Sequence, residues 1–135
     1  MQSAARAVLL SAVRSGPVVI CPVVYAELAA HFTSARDLDR FLGDAGVQMS
    51  AFEVQSLAHA GDAWKRYRGR TKGQPQERCP RCGHRLTARR RVISDFLIGG
   101  HAVVQADRLL TRDRGYYRTY FPRLPILDPQ TFNPG

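Results

Sequence analysis

The chain has 135 residues, 44% of them hydrophobic, and a formal charge of +9. That length and composition fit one domain with a real core, spanning 1–135, and exclude wholesale disorder. No apolar run approaches the roughly 20 residues of a membrane span, and three cysteines make no disulfide framework, which points to a reducing, cytoplasmic setting.

From Ser3 to Ser15 apolar residues recur at helical spacing, and Ser15-Gly16-Pro17 stops the pattern. The apolar patch is too short and interrupted for a signal peptide. Pro17 to Ile20 reads as a buried strand, after which Pro22 opens a helix with Val23, Ala26 and Ala30 on one face. A short helix from Ala35 to Asp44 is ended by Gly43 and Gly46, and Val47 to Met49 forms a second strand. Ser50-Ala-Phe-Glu53 has the form of a capping box and predicts a long helix running to about Tyr67 or Arg68, with Trp64 and Tyr67 closing the core.

Thr71 to Thr87 is a loop insertion rich in Gly, Pro and Arg. Between Lys65 and Arg91 stand eleven Lys or Arg and one acid, Glu77, so this stretch carries +10 and the rest of the chain −1. So localised a field suits a polyanion such as nucleic acid, or an acidic partner protein; a solvated loop is the plainer alternative. The loop holds CPRCGH. Cys79 and Cys82 have the spacing of a structural zinc knuckle, His84 offers a third ligand, and a second copy in a homodimer would complete the four. A redox-inert surface turn is the other reading.

A helix over Ile93–Ala106 follows, then a strand at Leu109–Thr111, a short helix at Gly115–Tyr120 and a last strand at Pro125–Leu127. Strands alternating with helices predict an α/β fold, with a parallel sheet covered on both faces. His101 reads as a packed histidine, and His31 and His59 as ordinary surface or half-buried residues. Tyr116, Tyr117, Tyr120 and Phe121 read as core before base-stacking platform.

In open parallel sheets, ligands bind beyond the carboxyl ends of the strands. Three acids fall there: Glu27 about a turn into the second helix, Asp95 in the first turn of its helix, and Asp113 just past Leu109–Thr111. Acids converging on one edge need a hard cation, Mg²⁺ or Mn²⁺, which activates water toward a phosphodiester. Arg112 and Arg114 flank Asp113 and suit a phosphate or the acids themselves, and Arg89, Arg90 and Arg91 suit the backbone of a nucleic acid. Structural duties compete: Asp95 stabilises a helix dipole, Asp113 caps a helix, Glu27 pairs with an arginine.

The stretches VVYAEL at 23–28, DFLIGGHAVVQADRLLTRDRGYYRTYF at 95–121 and ILDP at 126–129 resemble the PIN-domain family, and within it the VapC-type toxins of bacterial toxin–antitoxin pairs. The resemblance implies an α/β/α sandwich and a Mg²⁺- or Mn²⁺-dependent ribonuclease neutralised by a cognate antitoxin, with homodimers as the family habit. It matches Glu27, Asp95 and Asp113 to the family's acidic cluster and Thr111 to a hydroxyl position beside it. It also exposes a departure. The family's first strand and its Asp have no counterpart before Glu27, which predicts a sheet lacking its middle. The expectation is a natural start upstream of Met1, with a degraded copy, a catalytically impaired RNA- or protein-binding module, as the alternative.

Overall fold

The computed structural model describes residues 2–71, 81–82 and 93–131. Its elements run α1 (Gln2–Ser15), β1 (Val18–Ile20), α2 (Pro22–Ala29), α3 (Ala35–Ala45), β2 (Val47–Met49), α4 (Val54–Thr71), α5 (Ile93–Gln105), β3 (Leu109–Leu110), α6 (Arg114–Tyr120) and β4 (Ile126–Leu127). Each matches a segment expected from the sequence, and α4 continues past Arg68 to Thr71. The strands pair in parallel, β1 with β2 (Val18 opposite Val47) and β3 with β4 (Leu109 opposite Ile126). Among the described residues the expected single sheet is two separate pairs.

Around the first pair lies an aliphatic core. Leu38, Leu42 and Val47 are buried, and Leu9, Val18, Ile20, Tyr25, Leu28 and Phe32 pack on them. Leu38 and Leu42 lie one turn apart on α3, whose N-terminus is capped by the Ser34 hydroxyl accepting the Asp37 N–H at 3.2 Å. Gly46 ends the helix at φ 73°, a left-handed conformation that a side chain strains, and a Cβ there would stand 3.1 Å from Val13 of α1. Gly43, expected to stop the helix, lies inside it. Helix α2 corrects another expectation. None of its residues is fully buried, and Tyr25, Leu28 and Ala29 face the core instead of Val23, Ala26 and Ala30. The Tyr25 hydroxyl donates to Asp39 of α3 at 2.7 Å and ties the two helices together.

Helices α4 and α5 form the most extensive contact of the chain. Small residues on α4, Ser56, Ala60 and Ala63, are all but inaccessible and let the helices close up. A Cβ on Gly100 would meet the Ser56 backbone oxygen at 2.4 Å, and one on Gly99 would enter the Phe121 ring. The two helices run antiparallel, since Ser56 meets Gln105 while Trp64 and Tyr67 meet Phe96. Phe96, fully buried, is ringed by Trp64, Tyr67, Tyr116 and Tyr120 at centroid distances of 5.1, 5.4, 5.4 and 5.6 Å, in the tilted and edge-on geometries aromatic pairs prefer.

The start of α4 is held from a distance. The expected capping box does not form within 50–53. Instead Gln105 of α5 accepts the Glu53 N–H at 3.0 Å and the Ser56 hydroxyl at 2.6 Å on its Oε1. Its Nε2 donates to the Ser50 hydroxyl at 3.2 Å and the Ala51 carbonyl at 2.8 Å. One amide thereby satisfies an orphan donor of the first turn and fixes the approach to the helix. One turn earlier on α5, His101 is packed as expected, 4% exposed and edge-on to Phe52. Its ring bonds the Ser50 backbone, and Nε2 has no hydrogen-bond partner among the described residues. Burial holds this imidazole below its ordinary value of 6.5, with the Ser50 bond and the charge of Glu53 acting the other way.

Candidate functional site

The expected acids sit at the elements the sequence implied, on unlike foundations. Asp95 lies in the first turn of α5, half-buried, next in sequence to the fully buried Phe96. Asp113 occupies the N-cap position of α6, also half-buried, and that helix returns Tyr116 to the same Phe96 ring. As a cap, Asp113 is positional only, because its side chain makes no capping hydrogen bond. Glu27 is exposed on α2, the helix with no fully buried residue.

The strand end that positions Asp113 is tightly built. The β3–β4 ladder runs on past Leu110, with the Thr111 N–H donating to the Leu127 carbonyl at 3.0 Å. The Thr111 hydroxyl then accepts the Asp113 N–H at 3.1 Å, a local turn that sets where the acid leaves the strand. Thr111 therefore has a definite duty, that of shaping the loop.

The same edge holds an acid that the sequence reading passed over. Asp128 follows β4 directly and is 6% exposed. One carboxylate oxygen receives Arg114 Nε at 2.9 Å and the other the Gln130 N–H at 2.8 Å. Arg114, weighed for a phosphate or for the acids, ties itself to this acid, while Arg112 is exposed. The signal lay in plain view, an acid immediately after the last strand in ILDP, where the carboxyl-end rule applies as fully as after Leu109–Thr111.

Among the described residues, no three of His, Cys, Asp and Glu stand together as a site able to hold a metal. Glu27, Asp95 and Asp113 accordingly form no such group. Cys79, His84, Arg89, Arg90 and Arg91 lie outside the described residues; Cys82, next to Arg81 in a turn, is an exposed free thiol. Tyr116, Tyr117 and Phe121 are buried at 7, 5 and 5% exposure, so core packing is their role, whereas Tyr120 stays half-exposed. No described helix is long and apolar enough to cross a membrane.

Parallel strand pairs with helices on their flanks define an α/β protein. The PIN domain family matches residues 2–122, and the chain belongs to that family. PIN domains are typically nucleases, and RNA is their usual kind of substrate. No curated protein and no solved structure matches the chain.

Proposed function

We propose that the chain is an endoribonuclease of the VapC toxin type, a single PIN-like unit with 71–87 as a basic insertion, acting in the cytoplasm and neutralised by a cognate antitoxin. Asp95 and Asp113 are its principal acids, Glu27 the third, and Arg112 with the 89–91 arginines its phosphate contacts. One observation carries the reading: within a PIN match that covers most of the chain, Asp95 opens the helix that carries Phe96 and Asp113 opens the helix that packs on that ring. The divalent cation, Mg²⁺ or Mn²⁺, enters from the family, since the described acids form no ready set for it. Zinc at Cys79, Cys82 and His84 and a homodimer sharing it belong to the same reading.

The test is cleavage of a structured RNA by the purified full chain. Expected are products with Mg²⁺ or Mn²⁺ and none in EDTA, with Asp95→Asn and Asp113→Asn each slowing the reaction by about a hundredfold or more. Unchanged cleavage by Asp95→Asn would sink the assignment. A second reading is favoured by the missing three-acid group: a PIN-type RNA- or protein-binding module without catalysis. It predicts equal RNA binding in EDTA and Mg²⁺, with no products in either.

A further inference from the structure

The C-terminal end of α4 carries an arrangement that the acids leave unused. Lys65, Arg66, Arg68 and Arg70 are all exposed there. Two of them are fastened to a single residue of another helix. Arg66 Nη2 donates to the Tyr120 carbonyl at 2.9 Å, and the Arg70 guanidinium lies over the Tyr120 ring, 5.5 Å from its centroid. Tyr120 in turn stands edge-on to Tyr67 at 5.7 Å, and Tyr67 stacks on Trp64 at the same distance. All three rings are only half-buried.

A structural purpose explains part of this. Arg66 satisfies a carbonyl at the end of α6, and basic residues suit the negative end of a helix. It leaves two things unexplained. Like charges four residues apart on a helix repel, and among the described residues no carboxylate pairs with Arg66 or Arg70. A guanidinium also has five donors in a planar fork, of which the Tyr120 bond engages one nitrogen of Arg66. Both arginines are thus preorganised and exposed, with no carboxylate partner among the described residues.

We propose that Arg66 and Arg70, held on Tyr120, form a contact for single-stranded RNA. Arg66 takes a backbone phosphate, and the Arg70 plane, backed by the tyrosine, carries an unpaired base on its outer face. Charge alone would serve an acidic protein as well; a planar cation laid on a half-exposed ring favours a base. The antiparallel packing of α4 on α5 sets this contact at the end where α5 begins, the end that carries Asp95. The choice of RNA as the polymer rests on the nuclease reading.

The experiment measures binding of a labelled single-stranded RNA of about ten nucleotides to the full chain in EDTA, across a salt series, with its duplex form and poly-glutamate as competitors. Arg66→Ala and Arg70→Ala are each expected to weaken binding by about five- to tenfold. Arg66→Ala should also flatten the log–log salt slope by about 0.7. Arg70→Lys should behave nearly as Arg70→Ala, because it keeps the charge and loses the plane. If removal of Arg66 unfolds the chain, Arg66→Gln keeps a donor for the Tyr120 carbonyl and takes its place. The proposal is overturned if the double variant, with an unchanged unfolding midpoint, binds within about twofold of the parent. It is overturned equally if Arg70→Lys matches the parent, or if poly-glutamate or duplex competes as well as the single strand. Cleavage lost with binding intact would strike the nuclease reading alone, because binding is read where no divalent cation is free.

Discussion

Around Phe96, four aromatic rings from α4 and α6 close on a side chain of α5, whereas around Leu38 a few aliphatic residues of α3 and β2 carry the packing with half-buried help from α1 and α2. Aromatic pairs add about 1 kcal/mol each beyond the area they bury, so the first region is held by more, and more directional, contacts than the second. The acids divide along the same line. Asp95 and Asp113 are rooted in the aromatic region, while Glu27 rides on a helix with no fully buried residue. A site drawn from both regions therefore has two members on a stiff base and one on a looser base, where local opening costs less.

The strongest way to break this contrast is to remove both centres. Phe96→Ala should cost about 4 kcal/mol and Leu38→Ala about 3 kcal/mol, measured as shifts of the urea unfolding curve. Equal losses with one unaltered cooperative transition would mean the two regions act as a single unit and the contrast is void. A smaller effect sharpens it. Gly100→Ala forces a Cβ against the Ser56 backbone oxygen, and the α4–α5 seam should lose about 2 kcal/mol although alanine is the better helix former. An unchanged Tm would show that this seam is slack. Ser34→Ala, which deletes the cap on α3, should cost about 1 kcal/mol, with faster amide exchange confined to the Leu38 side.

The last test uses pH. His101 is held below 6.5 by burial, so the unfolded chain binds its proton more readily than the folded one. Stability from this group is complete above the unfolded value and declines as pH falls through 6.5 toward the folded value. Thermal melts of the parent should worsen over that window more than melts of His101→Asn; identical curves would remove the histidine from the account.

Most elements were legible because their punctuation is local: Ser15-Gly16-Pro17 before β1, Pro22 at the start of α2, Gly46 after α3. What escaped depended on partners far away in sequence. Helix α2 packs on the β1–β2 core and is tied to α3 by the Tyr25–Asp39 bond, and neither appears in the spacing of Val23, Ala26 and Ala30. The pattern 50–53 matches a capping box, yet Gln105 outcompetes it for the Glu53 N–H. Asp95 and Asp113 were legible as acids at helix starts; the Asp128–Arg114 pair was not, because the partner of a buried acid is invisible until β4 is laid beside β3. Whether three acids share a cation is likewise a matter of distance between elements, which no motif encodes.

Gln105 also bears on the order in which the protein can assemble. The Glu53 N–H is secured by a side chain 52 positions further along. On a ribosome, the front of α4 emerges well before the residue that anchors it, and its first turn has no stable partner in the interval. An isolated α4 peptide should accordingly fray at Glu53–Ser56, and the long helix becomes whole at its leading end only when α5 docks. The beginning of one helix is in this sense specified by the last residue of the next.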